Sequence, residues 1–344
     1  MFDKFFESLY NKVFVNVIVD RLKTTVYIEV CNKRNVVESA EEVFKTTFYN
    51  AEMKAFISQY TAETPFNYIT FLDTSVDQGA VPTCVKNKTP LYRDLSASIT
   101  KCYDDKWTFY SSQEELYALE RKYDKLGIDF IFSPFTILAS FFKDKTSKAL
   151  AMYILVQDGF ISLSIFNESE LLYAEHLDLK SSIENEEMLI YDDIDEDLDL
   201  DLGEDGIELD DISAIEEIDS FEDFGDIEDL DSIEDAEDFL ESTDVEEKLH
   251  ENLEEEELPL HEEEGFNEDY QRFLLIQSSI NEYYKDLKYD SEFIQNVYIA
   301  DGVGVSQDLK RYLEEEMFLD VYVRQIDLAS SVGDLARVEL GYEV

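Results

Sequence analysis

Residues 184–264 hold 40 acidic side chains against one basic one, Lys248, a formal charge of −39 over 81 positions. So dense a run of like charge, with few apolar residues to bury, has little capacity to build a core of its own. The fold must therefore be made by the segments on either side of it. Those 263 residues carry 41 acids and 27 bases, an ordinary globular balance. The whole chain of 344 residues has the length of about two domains. Its net charge of −53 disfavours any main role on nucleic acid or anionic lipid, because phosphate is repelled.

Inside the acidic stretch, apolar residues from Ile212 through Ile215, Ile218 and Phe221 to Phe239 fall every third position. That period matches neither the 3.6 of a helix nor the 2 of a strand. The stretch reads as a long acidic disordered insertion, with an array of docking sites that order on a basic partner as the sharper alternative. Asp197, Asp199, Asp201 and Glu208 follow an EF-hand count, but Leu202 stands where that loop needs glycine, so no metal site is expected.

Outside it the chain alternates strand and helix signals. VFVNVIVDRLKTTVYIEV, residues 13–30, reads as a hairpin turning at Asp20-Arg21-Leu22-Lys23. The spacing of Val43, Phe44, Phe48, Met53, Phe56, Ile57 and Tyr60 predicts a helix over 39–60, and NYITFLD predicts a buried strand over 67–73. A strand–helix–strand unit follows: a strand over 107–110, a helix over 112–126 with Ser112 and Glu115 as its capping pair, and a strand over 128–132. Pro134 opens another helix. A second set of hairpins covers 149–179, then a helix 266–287, a strand 293–299, a helix 306–316, a strand 320–324 and a final helix from about 328. Two hairpin-led halves imply two similar α/β lobes.

Chemistry-bearing motifs are sparse. Cys31, Cys84 and Cys102 are odd in number and lack a CxxC, so they read as small core residues in a reducing cytosol. His176, His250 and His261 share no metal-ligand spacing, and no GxSxG, HExxH or Walker A pattern occurs. No catalytic residue and no metal ligand is assigned. The longest apolar run, Ile128 to Phe142, is interrupted by Asp129, Ser133 and Pro134, and the N-terminus lacks a signal-peptide core, so a cytoplasmic chain without membrane insertion is expected. Phe2, Phe5, Phe6, Leu9 and Tyr10 share one helical face that would pack on the first lobe.

The order of these parts resembles the PilM family of the actin-like ATPase superfamily, related to the GspL cytoplasmic domain and FtsA. Four segments carry the resemblance: the 13–30 hairpin; Trp107 to Phe142 with Leu126-Gly127-Ile128 and Pro134; the 149–179 hairpins with Ser169-Glu170-Leu171-Leu172-Tyr173; and EFIQNVYIADGVG at 292–304. It implies an actin-like two-lobed fold with ribonuclease-H-like α/β lobes. The first lobe would be 1–145 with a small inserted subdomain at about 76–128, the second lobe 146–183 and 265–344, interrupted by 184–264, and the C-terminal helix would return to the first lobe.

The departures bear on activity. Where the family's first phosphate loop has DxG, this chain has Asp20 but Arg21 in the glycine's place, and the Asp and Gly of the second DxG are Leu155 and Gln157. Only Asp301-Gly302-Val303-Gly304 keeps glycines. A pseudo-ATPase is expected, with no cofactor; were ATP and Mg bound at all, Asp20, Lys23, Asp301, Gly302 and Gly304 would hold them. By resemblance the chain is a scaffold, a homo-oligomer or ring lying peripherally at the inner membrane, and it binds the cytoplasmic tail of a PilN-like single-span protein. The machine would be a type IV pilus, a type II secretion or DNA-uptake system, or a flagellar motor. The tail would lie extended in the first lobe between its main sheet and the inserted subdomain, drawing on the 67–73 edge and the 81–94 segment, with Tyr68, Phe71, Pro82, Leu91, Tyr92 and Arg93 as its contacts. An active ATPase of FtsA or PilM type, and an acidic adaptor working through its insertion, are the alternatives.

Overall fold

The computed structural model describes residues 10–179, 261–289, 291–305 and 307–342. Up to Leu179 and from residue 263 onward these belong to one compact unit. The readings of the N-terminal aromatic face before Tyr10 and of the acidic insertion fall outside the described residues.

β1 (Lys12–Asp20) and β2 (Lys23–Asn32) form the expected hairpin, with Asp20 opposite Lys23 and Arg21-Leu22 as the two-residue turn. β1 is buried from Lys12 to Ile18 because it lies at the centre of its sheet. β3 (Asn35–Phe44) continues the meander by pairing with β2. This corrects the helix expected over 39–60: α1 is only Ala51–Thr61, capped by the Asn50 side chain, which accepts the Met53 N–H at 2.8 Å. β3 is an exposed edge strand with only Phe44 buried, so it shows no alternation, and its two apolar residues before the helix extend a helical count by accident.

β4 (Asn67–Leu72) runs parallel to β1, and further along the chain β8 (Phe130–Phe132) runs parallel to β4. The sheet order is β3-β2-β1-β4-β8. Between β4 and β8 the chain inserts an antiparallel sheet of β5 (Gln78–Val81), β6 (Ser98–Tyr103) and β7 (Trp107–Ser112), ordered β5-β7-β6, and returns through α2 (Gln113–Lys122). The strands at 107–110 and 128–132 thus belong to different sheets and not to one α/β unit. Ser112 precedes α2 but its side chain makes no capping bond. Glu115 instead accepts from the Val76 and Asp77 amides at 3.4 and 3.1 Å, tying the helix start to the inserted sheet. Gly127 ends this segment at φ +79°, where a Cβ would be strained.

Cys84 and Cys102 form a disulfide with Cα atoms 5.4 Å apart, which corrects the reading of three unpaired cysteines. Their separation of 18 residues carries no motif; β7, paired with β5 on one side and β6 on the other, brings the segment after β5 and β6 together. Cys31 is buried and free.

α3 (Pro134–Phe141) and the short α4 (Lys143–Thr146) lead into the second lobe. There β9 (Ala151–Val156), β10 (Phe160–Asn167) and β11 (Glu170–Asp178) form an antiparallel meander. After α5 (His261–Lys285), β12 (Asn296–Asp301) pairs parallel with β9; after α6 (Gln307–Met317), β13 (Asp320–Gln325) pairs parallel with β12. The order β11-β10-β9-β12-β13 repeats that of the first lobe. Two such sheets, each a three-stranded meander followed by two parallel strands, make the actin-like fold.

α7 (Leu328–Glu339) crosses from the end of the second lobe to pack on β1 and β2. Its Arg337 pairs with Glu29 of β2, both buried. Gly333 makes the approach possible: a Cβ there would sit 2.6 Å from Asn16 Nδ2. Among the described residues no helix is long and apolar enough to cross a membrane.

Candidate functional site

The fold brings the β1–β2 turn, the β9–β10 turn and the loop after β12 to one cleft of about 460 Å³ between the lobes. Asp20, Lys23 and Gly302 line it, and Asp301 and Gly304 stand in the adjoining loop, so the five residues assigned to a nucleotide do come together. Their bonds, however, go to one another. Lys23 Nζ donates to Asp158 Oδ2 of the opposite turn at 2.6 Å, which raises the lysine's pKa. Asp301 Oδ1 accepts from the amides of Val303, Gly304 and Val305 at 3.0, 2.8 and 3.0 Å. These three amides would otherwise form a nest for an anion.

The space is filled as well. A Cβ at Gly302 would lie 1.9 Å from Gln157 Nε2, so the glycine makes room for that side chain. A Cβ at Gly159 would meet Asp20 Oδ1 at 2.7 Å, which shows how closely the two turns approach. Burial raises the Asp20 carboxyl above its ordinary value, against the pull of the Arg21 amide that donates to it. With Glu41, Asp158 and Asp327 also lining the cleft, the surroundings favour cations over phosphate. Among the described residues no three His, Cys, Asp or Glu side chains are grouped closely enough to hold a metal ion. Asp158 was missed as a site residue because Asp158-Gly159 reads locally as a turn and nothing more.

A second concavity, of about 540 Å³, lies between the inserted sheet and the first lobe's main sheet. Each sheet contributes its terminal strand to the lining: β6 through Lys101, Cys102 and Tyr103, and β8 through Ile131 and Phe132. Trp107 and Phe109 of β7, Phe166 of β10, and Leu335 and Val338 of α7 supply apolar surface, while Lys101 bonds Glu339 across it at 2.9 Å.

The six residues assigned to a partner are elsewhere. β4 has β1 on one side and β8 on the other, so the 67–73 segment offers no open edge. Phe71 is buried against Tyr123, and Tyr68 stacks on Phe14. Tyr92 approaches Tyr289 of the second lobe, and Arg93 bonds Asp77 at 2.5 Å beside Glu175 and His176 of β11. Pro82 is half-buried and Leu91 exposed. The set therefore forms no single surface. A concavity between the main sheet and the inserted sheet is present, but its strand edges are those of β6 and β8 and not 67–73, because the pairing of β8, a strand of three residues, decides which edge is open.

No curated protein matches the sequence. Among solved structures, a PilM–PilN type IV pilus biogenesis complex aligns at 9% identity over 90% of this chain and 87% of that one, with a TM-score of 0.46. A Bacteroides thetaiotaomicron protein with an actin-like ATPase fold and unknown function aligns at 11% over 93% of each chain, TM-score 0.42. The ethanolamine utilization protein EutJ from Carboxydothermus hydrogenoformans aligns at 8% over 94% and 88%, TM-score 0.40. These likenesses are too distant to transfer a function, and the fold rests on the strand order above. A family model described as domain of unknown function DUF8569 matches residues 10–139, the first lobe. The model described as domain of unknown function DUF8341 matches residues 152–341, more than half of the chain, and the protein belongs to that family.

Proposed function

We propose that this chain is a non-hydrolysing actin-like scaffold that receives an extended segment of a PilN-like membrane partner. The observation that carries the proposal is the self-satisfied cleft, in which Lys23 is held by Asp158 and the loop amides by Asp301. A phosphate would have to displace both before gaining any contact. The groove between β6 and β8 supports the partner half of the reading, since two terminal strands beside an apolar floor suit strand addition. The resemblance of the sequence to the PilM family names the partner class.

Calorimetry with Mg-ATP followed by a turnover assay tests the first half. Neither heat nor phosphate release is expected. Micromolar binding with turnover that is abolished by Asp20→Asn or Asp301→Asn overturns the scaffold reading. For the second half, Val338→Glu and Phe109→Glu should abolish recruitment of the folded protein to membranes bearing its partner, while Leu91→Glu, away from the groove, leaves it intact.

A further inference from the structure

The second lobe ends in an edge strand that is complementary to itself. β13 pairs with β12 on one side, and among the described residues no strand pairs with the other. In a parallel ladder each residue directs its N–H and C=O to the same side. Asp320 N–H bonds Gln295 O and Ile326 N–H bonds Asp301 O, so the even-numbered residues face β12. Val321, Val323 and Gln325 therefore direct their backbone groups outward. Such an edge attracts another strand unless it is covered.

The exposed face of β13 carries Asp320, Tyr322 and Arg324 in alternation, all exposed. Tyr322 is the outermost ring of a ladder with Tyr298 and Tyr153, which are paired in register on β12 and β9. Ring centroids are 5.1 and 5.4 Å apart and the planes lie within 19° and 13°. The ladder stops at solvent, with Tyr322 50% exposed.

We propose that β13 pairs antiparallel with β13 of a second copy, about a two-fold axis through Tyr322. Only registers in which outward residues face outward residues can form the ladder, and among these one centred on Tyr322 sets Val321 against Val323 of the second copy. Those two pairs exchange four backbone hydrogen bonds. Tyr322 then meets its own counterpart at a non-hydrogen-bonded position, where side chains approach most closely. Asp320 faces Arg324 of the second copy, and the symmetry makes this ion pair twice. Shifting the centre to Val321 or Val323 loses both ion pairs. Arg324 currently lies over the Phe141 and Phe142 rings with Asp144 at 3.6 Å, and it has guanidinium N–H groups left to donate. The result is one continuous sheet of ten strands with six stacked tyrosines. A pairing this short falls in the small interface class, so association depends on concentration.

Sedimentation velocity of the full chain over a concentration series, up to its solubility limit, tests the proposal. The wild type should form a dimer, and R324D and D320R should each lose it, since each places like charges in opposition. A mixture of the R324D and D320R chains should regain the dimer, because only the mixed pair is complementary. V323P removes an outward N–H while sparing the bonds to β12, and it too should sediment as a folded monomer. It supplies the readout if a charge variant fails to fold. A wild type that stays monomeric throughout, an R324D or V323P chain that dimerises as the wild type does, or a mixture that stays monomeric overturns the proposal.

Discussion

The two lobes share a strand order and differ in what their last strand faces. In the first lobe β8 is three residues long and stands beside the inserted sheet, leaving a groove lined by side chains of both. In the second, β13 is six residues long and nothing described pairs with its outer side. The meanders differ too. At the meander's outer edge, β11 is buried or half-buried after its first residue, whereas β3, its first-lobe counterpart, is exposed for nearly its full length. One topology thus yields a groove beside the terminal strand in one half and an open edge in the other. An edge's function depends on what the intervening insertion places next to it.

The largest effect is expected where the lobes are tied. Arg337→Met leaves Glu29 buried and unpaired beneath α7, which costs about 3–5 kcal/mol. Chemical denaturation measures it, and the double change with Glu29→Met should recover much of the loss. If the single variant is as stable as the wild type, α7 is not what joins the second lobe to the first.

Next in size is the inserted sheet. Reducing Cys84–Cys102 removes a cross-link over 18 residues, worth about 3 kcal/mol. Hydrogen exchange should show the loss confined to residues 78–112, with the second lobe unaffected.

Asp73 sharpens the contrast on the first lobe's side. Its carboxyl is buried at the end of β4, bonded by Ser75, and burial raises its pKa from 3.8. A raised acid pKa means that the native state holds its proton longer than the unfolded state. Its stability cost is therefore absent below 3.8 and grows as pH rises through the folded value. Asp73→Asn should remove that slope, so the variant gains on the wild type as pH rises above the acid range. Parallel pH–stability curves for the two proteins would contradict this.

The smallest stability effect belongs to the cleft. Lys23 and Asp158 are 47% and 37% exposed, so solvent screens the pair, and Lys23→Ala should cost under about 1 kcal/mol. Because the hydrogen bond to Asp158 raises the lysine's pKa from 10.5, the pair's contribution is fully present below 10.5 and is lost only as pH climbs through the raised value.

Much of the fold was legible in the sequence. Strands with continuous apolar runs, such as 13–20 and 151–156, and turns marked by Asp158-Gly159 or Gly127 announce themselves through local chemistry. β3 did not, because an edge strand exposed on both faces has no pattern to show. The capping role expected of Ser112 failed because Glu115 found partners in Val76 and Asp77, which only the folded chain brings near. At the site, the five cleft residues and Gln157 were found from their motif positions, but Asp158, the partner of Lys23, was not.

By itself the sequence determined two similar α/β lobes and the acidic interruption within the second of them, because periodicity and charge density are local properties. Tertiary structure alone decided that Lys23 is spent on Asp158, that Cys84 meets Cys102, that β4 is interior and that β13 is open. Each of these depends on which distant segments become neighbours, and neighbours are set by sheet order rather than by spacing along the chain.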